Sequence, residues 1–166
     1  MITDKRFILL ADDDIDDCLF FKEALEELEL STELVTVHDG EQLMQHLKDK
    51  ADRLPNVLFL DLNMPRKNGF TCLEEIKRSD RLKALPVVIF STSYDKHIAD
   101  QLYKNGAQYY ICKPTEFSQL KKVILQALTL TMHVPHETIL PGETEERSTQ
   151  PPRDKFILGH LKSSLP

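Results

Sequence analysis

The chain has 166 residues, of which 41% are hydrophobic and 29% charged, and this is the composition of an ordinary globular protein. Its formal net charge of −6 and the lack of a basic stripe argue against binding to nucleic acid or to an anionic membrane surface. No apolar signal segment opens the sequence and no hydrophobic run reaches the length of a membrane span, so we expect a cytoplasmic protein.

Five short apolar runs alternate along the chain with segments that carry apolar residues at helical spacing. Several of these runs are bounded by Pro, Gly or Asn, which is typical of buried strands in a parallel sheet. The predicted strands span residues 7–11, 34–38, 57–60, 87–90 and 108–112. The alternation predicts an α/β fold, a flavodoxin-like (βα)5 doubly wound parallel five-stranded sheet in the order 2-1-3-4-5, with helices on both faces.

The character of the sequence changes after about residue 130. Residues 131–166 contain five prolines, an acidic cluster near residues 143–146 and a Ser-Thr-Gln stretch, too polar a mixture to build a second core. We therefore assign residues 1–130 to one folded domain and residues 131–166 to a C-terminal tail that is largely disordered. Residues 154–162 of this tail are a candidate docking segment.

Polar side chains follow four of the five predicted strands. They are Asp12 and Asp13 after the first strand, Asp61 after the third, Ser91 and Thr92 after the fourth, and Lys113 after the fifth. The carboxyl ends of parallel strands meet at one edge of the sheet, where ligands bind in open α/β folds. We expect these groups to share one crevice.

The residue types in this crevice predict a particular chemistry. Carboxylates that lie close together repel one another, so a cation is expected beside them. Lys113 supplies one charge, and hard oxygen ligands favour Mg²⁺ over zinc for the rest. A carboxylate next to Mg²⁺, an ammonium and a hydroxyl is suited to accept a phosphoryl group. Asp61 is central and is the expected nucleophile, with Asp12 and Asp13 holding the metal.

Four stretches carry a resemblance to a known family. They are residues 8–14 (ILLADDD), residues 60–65 with Asn68-Gly69 (LDLNMP…NG), residues 85–93 (LPVVIFSTS) and residues 106–114 (GAQYYICKP). Taken together, and in this order, they resemble the receiver domain of two-component response regulators of the stand-alone, single-domain kind. The resemblance covers about residues 5–130.

The resemblance implies that Asp61 becomes an aspartyl phosphate in a two-component phosphorelay. The phosphoryl group would come from a histidine kinase or a histidine phosphotransfer protein. Asp12, Asp13 and Asp61 match the metal-binding carboxylates of the family. Asn63 matches the position whose backbone carbonyl also binds Mg²⁺.

Further positions match the switch machinery of the family. Ser91 matches the switch hydroxyl, with Thr92 as its neighbouring competitor, and Lys113 matches the lysine that contacts the phosphoryl group. The bond between Lys113 and Pro114 matches one that is usually cis. Tyr110 matches an aromatic residue that changes rotamer on activation. In this scheme Ser91 moves toward the phosphoryl oxygens, and Tyr110 fills the vacated space from an exposed position.

The surface made by the fourth helix, the fifth strand and the fifth helix is then the expected output face. It would bind an unknown downstream protein or relay the phosphate, and a homodimer through this face remains open. The chain is expected to act as a switch and not as an enzyme, with slow self-dephosphorylation as its turnover.

Three other functions remain as alternatives. A phosphatase of the haloacid-dehalogenase type also uses an aspartyl nucleophile, but it needs a second Asp where this chain has Asn63. A phosphate-independent, receiver-like interaction module is disfavoured by the intact acidic pair and Lys113. A flavodoxin-like cofactor binder would need a phosphate-binding loop after the first strand, where the Asp residues of this chain would repel a phosphate.

The remaining polar residues have simpler interpretations. Asp14, Asp16 and Asp17 are expected to cap the first helix and match its dipole. The three cysteines show no CxxC spacing and are expected to be reduced thiols, and the six histidines form no ligand cluster. His38, at the end of the second strand, is expected to lie away from the centre of the site.

Overall fold

The protein is seen in a computed structural model that describes residues 4–49, 52–132 and 157–158. The strands are β1 (Arg6–Ala11), β2 (Thr32–Val37), β3 (Val57–Leu60), β4 (Val87–Ser91), β5 (Tyr109–Cys112) and β6 (Ile157–Leu158). The helices are α1 (Ile15–Glu27), α2 (Gly40–Asp49), α3 (Gly69–Arg78), α4 (Lys96–Lys104) and α5 (Phe117–Met132). Within the described residues, no helix has both the length and the apolar character needed to span a membrane.

The described strands form one sheet in the order β2-β1-β3-β4-β5-β6, and every adjacent pair is parallel. The predicted fold class and the order 2-1-3-4-5 are therefore confirmed. The predicted second strand began at residue 34, but β2 begins at Thr32 because its pairing with β1 continues back to Arg6. Ala11 pairs with both Val37 and Leu60, so β1, β2 and β3 end level with one another.

The short strand β6 lies within the predicted tail and extends the sheet beyond β5. Its two residues, Ile157 and Leu158, pair with Tyr110 and Ile111 and belong to the candidate docking segment, residues 154–162. The prediction of disorder for residues 133–156 and 159–166 falls outside the described residues.

Helices α1 and α5 cover one face of the sheet with a hydrocarbon layer. Phe21 of α1, Phe59 of β3 and Phe90 of β4 meet edge to face, with ring centroids 4.9, 5.6 and 6.3 Å apart. All three are buried, and each such burial stabilises the fold by about 1.5–3 kcal/mol. Ile124 and Leu128 of α5 pack in the same layer.

Helices α2, α3 and α4 cover the opposite face. Leu43 of α2, Leu73 of α3 and Leu102 of α4 are fully buried in this second layer. Tyr110 of β5 also lies in it, whereas its neighbour Ile111 lies in the first layer. Successive residues of a strand point to opposite faces, so β5 contributes one side chain to each layer.

The helices begin where side-chain oxygens accept backbone N–H groups. Asp14 accepts from the N–H of Asp17 at the start of α1, which confirms its predicted capping role. Asn68 and Asp95 cap α3 and α4 in the same way. Two of these caps, Asp14 and Asn68, follow strands whose last residues form the site, so the helix starts are fixed beside it.

Candidate functional site

Three carboxylates meet at the carboxyl ends of β1 and β3. Asp12, Asp13 and Asp61 each contribute one carboxylate oxygen, and these three oxygens lie within 4.8 Å of one another. Asp12 is fully buried, Asp61 is 6% exposed and Asp13 is exposed. The two strands are adjacent and end level, and the Asp61 N–H donates to the Ala11 carbonyl at 2.9 Å. The sheet register therefore places these groups together.

The backbone around Asp61 is held by a close approach of α3. The Gly69 N–H donates to the Leu62 carbonyl at 2.9 Å, and a Cβ atom at position 69 would lie 2.2 Å from the Asp61 carbonyl oxygen. Glycine is the residue that permits this contact. The Leu62 N–H also donates to Asp61 Oδ1 at 2.9 Å, so both the chain and the side chain of Asp61 are oriented.

Lys113 brings a positive charge from β5 into the same crevice. Its Nζ lies 2.6 Å from Asp12 Oδ2 and 2.8 Å from Asp17 Oδ2, and its side chain is 8% exposed. The ammonium also lies 5.2 Å from the centre of the Phe90 ring. Burial disfavours the charged form of Lys113, but hydrogen bonds to Asp12 and Asp17 raise its pKa overall. Lys113 therefore stays protonated.

The two buried carboxylates of the cluster, Asp12 and Asp61, resist ionisation. Burial, reinforced by the neighbouring charges of Asp12 and Asp13, raises the pKa of Asp61 to about 7 even though Lys113 acts in the opposite direction. Burial also raises the pKa of Asp12, and Lys113 offsets only part of this effect. Beside Lys113 alone, Asp12 and Asp61 therefore hold their protons more readily than exposed carboxyl groups do.

This donor set fits a hard divalent cation such as Mg²⁺. Its atoms are carboxylate oxygens, and Asp12 Oδ2 is buried and accepts no hydrogen bond of good geometry within the described residues, although it is ion-paired with Lys113. Asn63, whose carbonyl was the fourth predicted ligand, is exposed in the loop two residues after Asp61.

The two hydroxyl candidates on β4 differ in burial. Ser91 is fully buried at the end of the strand, whereas Thr92 is exposed. Ser91 Oγ makes no hydrogen bond of good geometry within the described residues. The Tyr110 phenol donates to the Ser93 carbonyl, and a hydrogen-bond interaction with Ser91 offsets part of the effect of burial on the pKa of the phenol. Of the two candidates, Ser91 is therefore the buried hydroxyl.

Tyr110 is already in the interior, and the expectation of an exposed starting position is wrong for this structure. Its side chain is 1% exposed, and its ring packs edge to face against Tyr94 at 5.5 Å. Burial raises the pKa of the phenol. The reason is the alternation along β5, which turns Tyr110 toward α4 and Ile111 toward α5.

The expectation of a cis bond before Pro114 is also wrong for this structure. Cis peptide bonds are absent from the described residues, so the Lys113–Pro114 bond is trans. The trans form is the preferred one for an X–Pro bond by about 0.5–1 kcal/mol.

Sequence reasoning missed three contacts around Asp12 and Lys113. Asp17, assigned only to the helix terminus, is an ion-pair partner of Lys113. His38 Nδ1 lies 3.1 Å from the Asp12 carbonyl, so His38 is nearer to the site than expected, and the Cys18 thiol donates to the same carbonyl at 3.4 Å. The His38 contact could have been found from the strand order, since β2 and β1 end level. Burial raises the pKa of Cys18 to about 12, so this thiol is not a nucleophile.

Curated proteins of similar sequence include signalling regulators. The response regulator Rcp1 of Synechocystis sp. is 31% identical over 123 residues, which are 72% of this chain and 84% of that protein. The probable methanogenesis regulatory protein FilR2 of Methanothrix harundinacea is 32% identical over 124 residues, which are 73% of this chain and 80% of that protein.

Solved structures show the same similarity. The phosphorylated cyanobacterial phytochrome response regulator RcpA has a TM-score of 0.71 and 31% identity, covering 84% of this chain and all of that one (100%). The Mn²⁺-bound form of Rcp1 has a TM-score of 0.69 and 29% identity, covering 78% of this chain and 97% of that one. The family model of the response regulator receiver domain matches residues 8–125. The chain therefore belongs to the response regulator receiver domain family.

Proposed function

We propose that this chain is a phosphoacceptor switch of a two-component phosphorelay, in which Asp61 accepts a phosphoryl group from a phosphohistidine. The observation that carries the proposal is the arrangement around Asp61. A nearly buried carboxylate on a rigid strand end has two acidic neighbours within 4.8 Å and a protonated lysine in the same crevice. The donor would be a histidine kinase or a histidine phosphotransfer protein.

The transfer is an in-line displacement at phosphorus. A carboxylate oxygen of Asp61 forms the new P–O bond while the P–N bond to the donor histidine breaks, and the imidazole leaves with the bonding electron pair. Lys113 would offset the charge of the phosphoryl oxygens. Mg²⁺, when held by Asp12, Asp13, Asp61 and the Asn63 carbonyl, supplies further positive charge there. The raised pKa of Asp61 means that a neighbouring cation also favours the ionised, nucleophilic carboxylate.

The switch would be read out through β5 and the helices beside it. A phosphoryl group adds about −1.5 to −2 charge and three acceptor oxygens. The Ser91 hydroxyl has no competing hydrogen bond of good geometry within the described residues, so it is available to donate to one of these oxygens. Tyr110 packs edge to face against Tyr94 in the same layer as Ala99 and Leu102 of α4. The α4-β5-α5 face would then bind a downstream protein, relay the phosphate or pair with a second copy.

We expect a switch and not a phosphatase that turns over. Asn63 stands where a haloacid-dehalogenase phosphatase would have its acid, and its side chain cannot deliver a proton to a leaving group. The aspartyl phosphate should therefore persist and hydrolyse slowly. A cytoplasmic location follows from the same proposal, because that is where the phosphate donors act.

Incubation with acetyl phosphate and Mg²⁺ tests this proposal. Intact-protein mass spectrometry should show one phosphoryl group on the wild-type chain and none on the Asp61→Asn variant or after chelation of the metal. After the small donor is removed, the loaded chain should release phosphate slowly and no more than one equivalent per chain. Labelling retained by Asp61→Asn, or continuous hydrolysis of the donor at a high rate, would contradict the proposed function.

A further inference from the structure

The ammonium of Lys113 is held between two carboxylates from different parts of the chain. Asp12 Oδ2 lies 2.6 Å from Nζ and Asp17 Oδ2 lies 2.8 Å from it. Asp61 forms no ion pair with Lys113 within the described residues, although the negative charge of Asp61 helps to raise the pKa of Lys113. The lysine expected to face the phosphoryl group is thus already paired with two carboxylates. One of them, Asp17, lies outside the three-carboxylate cluster.

The first turn of α1 fixes Asp17 in this position. Its backbone N–H donates to the Asp14 side chain at 3.1 Å, and the Cys18 N–H donates to the Asp14 carbonyl at 3.1 Å. Side chains of a helix tilt toward its N-terminus, so Asp17 extends back over the end of β1. The backbone N–H of Asp17 donates to the capping residue Asp14, and the Asp17 carboxylate takes no part in the cap. This carboxylate is therefore available to Lys113.

The two partners of Lys113 differ in how easily they can be released. Lys113 donates a hydrogen bond to Asp17 and forms an ion pair with Asp12. Asp12 is fully buried, whereas the Asp17 side chain is 30% exposed and can exchange the ammonium for water. Releasing Asp17 leaves a solvated carboxylate, while releasing Asp12 leaves a buried one, which is far more costly.

From this difference we infer that Asp17 is a positioning residue, a counter-ion that holds Lys113 in the unphosphorylated chain and competes with the phosphoryl group for it. The inference rests on the proposed function of Asp61. When the phosphoryl group is present, Lys113 leaves Asp17 for the phosphoryl oxygens. Asp17 therefore sets how much the Lys113 charge contributes to holding the phosphoryl group.

Neutralising Asp17 should strengthen the binding of a phosphoryl analogue. Beryllium fluoride with Mg²⁺ is a suitable probe, and its affinity for the full chain can be measured by calorimetric titration. Asp17→Asn should bind it about fivefold more tightly than wild type, the scale of one partly exposed ion pair. Asp17→Glu keeps a carboxylate within reach of Lys113 and should return the affinity to within about twofold of wild type.

The matched control is Asp16→Asn. Asp16 is also acidic, lies in the same first turn of α1 and is exposed, so its loss changes the net charge and the helix dipole in the same way. Its effect on beryllium fluoride affinity should stay within about twofold. Thermal unfolding of both variants verifies that they are folded.

Two results would overturn the inference while leaving the proposed function intact. One is an Asp17→Asn affinity equal to that of Asp16→Asn, which would make the effect one of general charge. The other is a weaker affinity in Asp17→Asn, which would mean that Asp17 directs Lys113 toward the phosphoryl group. A wild-type chain that neither binds beryllium fluoride nor takes up a phosphoryl group would overturn the proposed function, and this inference with it.

Discussion

The two faces of the sheet differ in how their aromatic residues are packed. Under α1 and α5, the rings of Phe21, Phe59 and Phe90 interlock without a polar atom among them. Under α4, Tyr94 and Tyr110 pack edge to face, and the Tyr110 hydroxyl is hydrogen-bonded to a loop carbonyl. A hydrocarbon layer is held by shape and resists rearrangement, whereas a hydrogen bond can be exchanged for another. The α4 side is therefore where a charge at the strand ends can change the packing.

Truncation in the hydrocarbon layer should have the largest effect on stability. Phe59→Ala removes a fully buried ring that contacts two others, and we expect a loss of about 3–5 kcal/mol in the free energy of unfolding. Urea unfolding followed by circular dichroism measures it. Phe20→Ala is the control, since Phe20 is 52% exposed and its loss should cost less than about 1 kcal/mol. Equal losses in the two variants would show that the ring cluster is not the centre of that layer.

Neutralising Asp61 should stabilise the protein when no divalent ion is present. The pKa of Asp61 is about 7 in the folded chain, against an ordinary value of 3.8, so the folded state binds more protons between these values. Stability should therefore fall as the pH rises from about 4 to 7 and then level off. Asp61→Asn should remove this dependence, so its stability relative to wild type should be about 4 kcal/mol more favourable at pH 8 than at pH 4. Unfolding midpoints measured in chelator across this range test it, and parallel pH profiles of the two proteins would contradict the raised pKa.

Removing the Tyr110 hydroxyl should have a smaller effect on stability, confined to the α4 side of the sheet. Tyr110→Phe keeps the ring packing against Tyr94 but leaves the Ser93 carbonyl without its donor, which should cost about 1 kcal/mol. Tyr109→Phe, the neighbouring residue on β5 that packs on the other face, is the matched control and should change stability less. If the order of the two effects were reversed, the proposed contrast between the faces would fail.

The smallest effect is expected at the rim of the hydrocarbon layer. Lys121 of α5 lies 2.8 Å from Glu27 of α1, but the two side chains are 33% and 55% exposed. An exposed ion pair of this kind contributes about 0.2–1 kcal/mol and is screened by salt. Lys121→Ala should therefore change the unfolding free energy by less than about 1 kcal/mol, and by less still in high salt. A loss comparable to that of Phe59→Ala would mean that charge, and not shape, joins α1 to α5.

The sequence was sufficient to predict strands β1 to β5, because they are apolar runs separated by helical periodicity and clear turn residues, whereas β6 was not predicted. The chain order of the strands and the rule that parallel strand ends share an edge also brought Asp12, Asp13, Asp61 and Lys113 to one crevice. These predictions depend on local pattern and on topology, and both are expressed in the sequence.

The contacts of individual side chains were harder to predict from the sequence. Asp17 and Lys113 are 96 positions apart, and nothing local distinguishes Asp17 from its acidic neighbours in the first turn of α1. The buried position of Tyr110 depends on the packing of α4, and the isomer of the Lys113–Pro114 bond depends on a balance of about 0.5–1 kcal/mol. Such features follow from three-dimensional packing and therefore need the structure.

Phe90 contacts both the phenylalanine cluster of the core and Lys113 of the candidate site. Its ring is shared between the phenylalanine cluster and the ammonium of Lys113, which lies 5.2 Å above it. The Lys113 ammonium thus lies against the same aromatic ring that packs with Phe21 and Phe59 in the core. A substitution that displaces the Phe90 ring would therefore change both the packing of the core and the surroundings of the Lys113 ammonium.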